Sequence, residues 1–143
     1  MFKRSNGIAS YGRIASFEAD PIRQIVMLYD GAIKFLNAAA MDIESANFES
    51  KAYHTNRALD IVDYLQSIID LEKGGEVGRS FDDLYTKVRL VILKASAAPD
   101  AAMMRTAAEL LRPVRNAWEQ NAENQRMNAP AAVSPQSARA IPA

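Results

Sequence analysis

The residues that most often carry chemistry are scarce in this chain, and their spacing restricts them further. One histidine, His54, and no cysteine leave no thiol nucleophile, no disulfide and no zinc ribbon. A carboxylate-bridged di-metal bundle uses Glu-x-x-His pairs, because residues three apart share one helix face. The residue three before His54 is Lys51, so no metal site is expected. Nucleophilic triads need a histidine base, but His54 falls on the apolar arc of its helix, where a histidine packs rather than catalyses. The run Gly74-Gly75-Glu76-Val77-Gly78-Arg79-Ser80 is glycine-rich. It lacks the Lys before Ser/Thr and the preceding strand that make a phosphate loop, and it reads as a helix stop plus a turn. No catalytic residue and no cofactor is expected.

What remains must act through surface. The 143 residues allow one compact domain and a tail, at the usual ~100–200 residues per domain. Lys plus Arg and Asp plus Glu both number 17, and 49% of the chain is hydrophobic, so it has the apolar content to fold. The basic residues are scattered singly and the aromatics sit at core spacing, which gives no nucleic-acid footprint. No 7–15-residue apolar run follows Lys3 and Arg4 to make a signal peptide. Charges interrupt every helical stretch before a ~20-residue span is reached. A soluble, cytoplasmic protein without membrane insertion is the expectation.

The elements that must carry the surface are all helical. Asp20-Pro21 is a helix start, with Asp as N-cap and Pro at the first position, and the pattern runs to about Ala46. A second helix is predicted from about Ser50 to Lys73, stopped by Gly74-Gly75. A third follows from Glu76 to Ala97, and a fourth, capped by Asp100, runs to about Glu123. Short connections make neighbours antiparallel, and period-2 alternation is missing throughout. The fold class is therefore all-α, an antiparallel four-helix bundle over residues 20–123. A short N-terminal capping segment (1–19) precedes it, and a disordered tail (124–143) with three prolines and no acidic residue follows. In the first segment Ile8, Tyr11, Ile14 and Phe17 recur every three residues, which suits a helical turn lying on another surface. Pro113 should kink the fourth helix near Glu109–Pro113.

The apolar faces are wider than one bundle core requires. A core-facing stripe spans a little over ~100°, and Met104, Ala107, Leu111, Val114 and Trp118 fit that. The first helix carries Ile25, Leu28, Ala32, Phe35, Leu36, Ala39 and Ile43 and then extends through Ile22, Val26, Tyr29, Ile33 and Ala40. On the second helix Ala58, Val62, Leu65 and Ile69 face the core, and the arc continues through Tyr53, Ile61, Tyr64, Ile68 and Leu71. The third has Leu90, Leu93 and Ala97 opposite its core stripe. Apolar surface of that extent marks an interaction site. From this geometry Ile61, Tyr64, Ile68, Leu71, Leu90 and Leu93 are the expected partner-facing residues. A plain structural bundle that dimerises through the same surface is one alternative. Another is a phosphotransfer module: His54-Thr55-Asn56-Arg57-Ala58 resembles histidine-phosphotransfer bundles over five residues, although Ala58 stands where Gly belongs.

A longer likeness covers residues 8–120. Asp20-Pro21, Met27-Leu28-Tyr29-Asp30-Gly31-Ala32-Ile33, Ala58-Leu59-Asp60-Ile61-Val62, Leu71-Glu72-Lys73-Gly74-Gly75-Glu76, Leu84-Tyr85 and Ala117-Trp118-Glu119 together resemble the flagellar secretion chaperone FliS family. Ile8 and Tyr11 are similar to the apolar-x-x-Tyr of that family's N-terminal segment. The resemblance implies a non-enzymatic helical bundle that binds the C-terminal segment of flagellin and keeps it from polymerising before export. It leaves the flagellar export gate as a second partner to be tested, and a monomer or weak homodimer as the assembly. Ile8 and Tyr11 are then expected to cover part of the apolar surface when it is empty.

Overall fold

The computed structural model describes residues 20–128, without the side chains of Leu71, Glu72 and Asn128. The expectations for Ile8 and Tyr11, and for the tail beyond residue 128, lie outside the described residues. Four helices follow in order: α1 (Pro21–Glu44), α2 (Phe48–Ser67), α3 (Leu71–Ala97) and α4 (Ala101–Asn128). Among the described residues there is no strand, in keeping with the expected all-α bundle.

Side chains at the helix starts explain the boundaries. Asp20 accepts the Arg23 amide at 3.1 Å ahead of Pro21, Asn47 accepts the Ser50 amide at 3.2 Å, and Asp100 accepts the Met103 amide at 3.0 Å. Each satisfies a backbone donor that the first turn leaves without a partner. Three boundaries differ from the sequence expectation by more than two residues: the end of α2, the start of α3 and the end of α4. Helix α2 ends at Ser67 instead of Lys73, because Asp70 starts a new turn by accepting the Lys73 amide at 3.1 Å. That turn is broken at Gly75, whose φ of 58° and ψ of −134° suit only a residue without Cβ. Helix α4 passes the expected end at Glu123 and runs to Asn128, its last turns supported by buried Ala122 and an Arg126–Glu123 ion pair. Pro113 does not interrupt α4. It is exposed, as is Glu109, so the carbonyl that loses its amide partner faces water.

Helix α1 packs against α2 and α4, and α3 packs against α2 and α4, closing a four-cornered ring. The seams around α1 are built from small residues: Ala32, Ala39, Ala40, Ala58, Ala107 and Ala108 are all fully buried, which lets backbones approach closely. Tyr29, Leu36, Ile61, Leu65, Ile92, Met104 and Leu111 fill the centre. On the α1–α4 side the seam is stapled by ion pairs. Arg23 reaches Glu119 (2.9 Å), Asp30 reaches Arg115 (2.7 Å), and Glu44 reaches Arg105 (2.8 Å).

Candidate partner-binding surface

On the α2–α3 side, opposite those staples, lie four of the exposed large apolar side chains; Met41, Phe48, Tyr53, Val77 and Met127 are exposed as well. Tyr64 and Ile68 lie one turn apart along α2 and its C-cap, Leu90 and Leu93 one turn apart on α3. They are 40%, 48%, 53% and 45% exposed respectively. Ile61 departs from the expectation. At 1% exposure it belongs to the core, because it stands three residues after Ala58 and four before Leu65 and so shares their inward face. Leu71, the sixth expected residue, has a side chain outside the described set.

Beside these residues, Asn56, Leu59, Asp60 and Asp63 of α2 and Arg89 and Leu93 of α3 line a groove of about 410 Å³. Further along, the two helices are bridged by polar groups. Arg89 donates through Nε and Nη2 to Asp63 Oδ1 (3.0 and 2.6 Å) and through Nη2 to Gln66. Gln66 Nε2 in turn donates to Asp82 Oδ1 at 2.8 Å and Thr86 Oγ1 at 3.1 Å. The bridge holds α3 against α2 without covering the four exposed residues.

Past this bridge Ile68 also borders a second void, of about 380 Å³, at the end of the bundle where α1 begins. Ile25, Leu65, Ile69, Val77, Phe81, Tyr85 and Trp118 line most of it, and the turn through Lys73 and Gly74 roofs it. One wall is an aromatic stack. Tyr85 lies on Phe81 (centroids 6.3 Å, planes 16° apart) and Phe81 on Trp118 (6.2 Å, 26°). Behind the stack the hydroxyls of Tyr29 and Tyr85 are hydrogen-bonded to each other. Burial holds the Tyr29 phenol well above the usual tyrosine range, with the nearby Tyr85 adding to this, and raises the Tyr85 phenol as well. Both therefore stay neutral. Trp118 Nε1 lies near enough to the Tyr29 hydroxyl to favour its ionised form, yet it is buried without completing a hydrogen bond of good geometry. Helical periodicity places Phe81, Tyr85 and Trp118 on core stripes and Tyr29 in the wider apolar arc of α1. Tyr29 in Met27–Ile33, Tyr85 after Leu84 and Trp118 between Ala117 and Glu119 belong to three separate motifs, which the fold brings to one place.

His54 stands apart, at the other end of the bundle. Its Nδ1 is 2.6 Å from Asp42 Oδ2 and 3.4 Å from Ser50 Oγ, and its ring stacks on Phe35 at 6.0 Å. A serine triad uses opposite ring nitrogens for serine and carboxylate, whereas here both approach the same one. A phosphoryl group on this ring would sit among aromatic rings and beside a carboxylate, neither of which favours a dianion. Among the described residues no group of three or more His, Asp or Glu side chains is placed to hold a metal ion. No described helix is long and apolar enough to cross a membrane.

Similarity to known proteins points the same way as the exposed surface. A sequence model of the family described as flagellar protein FliS matches residues 4–125. The chain is 31% identical over 121 residues to the flagellar secretion chaperone FliS of Salmonella typhimurium, covering 81% of this chain and 90% of that protein. Over 102 residues it is 30% identical to the flagellar secretion chaperone FliS of Vibrio cholerae (71% and 75% covered). It is 25% identical over 123 residues to the protein of that name in Bacillus subtilis (85% and 90%).

Proposed function

Since this chain belongs to the FliS family of flagellar secretion chaperones, we propose that its client is the C-terminal segment of flagellin. It binds that segment in the cytoplasm and keeps it from polymerising before export. The observation that carries this reading is that, of the large apolar side chains left outside the core, Tyr64, Ile68, Leu90 and Leu93 fall on the α2–α3 side. An amphipathic segment that folds as helix on binding lays its apolar face into such a surface. Ile68 joins the seam to the aromatic-walled void, so one client can engage both. Ile8 and Tyr11, and with them Leu71, belong to this reading as residues that cover or extend the surface. An internal cover lowers apparent affinity by the fraction of molecules that are closed. The bundle acts as monomer or weak homodimer without catalysis, and the export gate is a second partner for the loaded chaperone.

Titration with a flagellin C-terminal fragment, followed by heat and by far-ultraviolet circular dichroism, tests it. Helicity should rise on mixing. Ile68→Asp with Leu90→Asp should weaken binding by at least a hundredfold, since each site loses about half a buried side chain, ~1 kcal/mol, and gains a desolvated charge. Unchanged affinity in a folded double variant would move the binding surface elsewhere, and no gain of helicity would count against the chaperone–flagellin reading.

A further inference from the structure

We propose that the buried Tyr29–Tyr85 hydroxyl pair is a positioning device for client binding, holding the aromatic wall of the end void in the orientation that receives a client side chain. The inference rests on the flagellin reading for its ligand, but its structural part stands on contacts within the bundle.

Tyr29 is fully buried and Tyr85 is 4% exposed, and each hydroxyl has the other as its partner. They differ in what lies beyond them. Tyr29 is enclosed on α1, whereas Tyr85 borders the void that opens at the bundle end. A buried hydroxyl that loses its partner pays the desolvation cost of an unmade bond. For Tyr85 an escape exists: tilting into the void to reach water. The same tilt breaks its stack on Phe81, which in turn supports Trp118, and it fills the space a client side chain would occupy. Tyr29 touches no client in this arrangement and acts through Tyr85 and through the nearby Trp118 Nε1.

The consequence is an unusual pattern in a double-mutant cycle. Tyr29→Phe strands the Tyr85 hydroxyl. If nine-tenths of molecules then hold Tyr85 turned outward, apparent Kd rises about tenfold, because affinity scales with the competent fraction. Tyr29→Phe combined with Tyr85→Phe removes both polar groups and with them the reason to tilt, so binding should return to within about twofold of the parent. A role in stability alone would lower the unfolding midpoint of the single variant and leave the affinity of its folded molecules unchanged.

Trp118 is the chain's one tryptophan, so its emission reports on this wall without a label. The experiment measures Trp118 emission and the Kd for a flagellin C-terminal fragment in the parent, Tyr29→Phe and the double variant, under conditions where urea unfolding shows all three folded. Support is a weakened single variant whose affinity returns in the double variant, with an emission shift in the single variant larger than the one the double variant, which also lacks the hydroxyl near Trp118, still shows. An unchanged Kd in Tyr29→Phe, or a double variant as weak as the single one, overturns the proposal. A parent chain that does not bind the fragment overturns the flagellin reading instead, and the difference in emission between Tyr29→Phe and the double variant without client still decides whether the pair sets the wall.

Discussion

Replacing Gly75 with alanine isolates the conformational cost of the turn that roofs the end void. At φ 58° and ψ −134° the residue adopts the mirror image of polyproline II geometry, which an L side chain resists. A Cβ built there meets nothing within 4 Å, so steric crowding with neighbours contributes nothing and the whole effect is backbone strain. Such strain costs about 1–3 kcal/mol, offset by ~0.4–1 kcal/mol from the reduced freedom of the unfolded chain. The net expectation for Gly75→Ala is a loss of about 1–2 kcal/mol. At roughly 4 °C per kcal/mol for a domain of this size, the unfolding midpoint drops by about 4–8 °C. Gly74 is the internal control. Its added Cβ also meets open space, but its backbone is helical, so Gly74→Ala should stabilise by about 0.5–1 kcal/mol. Urea and thermal unfolding of the two variants should therefore move in opposite directions. A Gly75→Ala protein as stable as its parent would refute the requirement for that backbone conformation.

Three further substitutions probe the scaffold. Hydrogen bonds from Arg23, with the charges of Arg23 and Arg115, hold the Glu119 carboxyl below the usual range. Its stabilisation is therefore complete above the unfolded value near ~4.3 and is lost as pH falls through the lower folded value; Glu119→Gln should be less stable than the parent at pH 7, and the difference should shrink as pH falls below the unfolded value in urea titrations. Pro113→Ala restores an amide to an exposed stretch of α4 and should raise stability by about 1–3 kcal/mol, and a loss in the same measurement would show that proline is needed there. Leu36→Ala, at a site with no exposure, should cost about 2–5 kcal/mol, with a smaller value indicating that α1 and α2 collapse around the vacancy.

Much of the architecture was legible because helix starts carry local chemistry. Asp20-Pro21 and Asp100 read correctly from a few residues, since a cap is a contact between neighbours in sequence. The end of α2 did not, because the carboxylate of Asp70 and the glycine at 75 compete for where the turn falls, and only packing decides. The outward stripes of Tyr64, Ile68, Leu90 and Leu93 followed from periodicity. Ile61 was misplaced because a position 60° from Ala58 on the wheel can belong to either face until α1 fixes the rotation of α2. The aromatic wall stayed hidden for a different reason. Tyr29, Phe81, Tyr85 and Trp118 come from three helices far apart in sequence, and a wheel drawn for one helix cannot show where three of them converge.

The staples along α1 and α4 divide the molecule into two halves of unequal cohesion. One half is a close antiparallel pair with alanines inside and ion pairs across its rim; α3 depends on bulkier contacts and the Arg89–Gln66–Asp63 bridge. Opening events need not involve the whole chain, and the side that gives way most readily is the one that bears the exposed leucines. Amide exchange should then be slowest in α1 and α4 and faster in α3, so that the bundle can breathe at its front while its back persists as a preformed platform onto which α3 closes again.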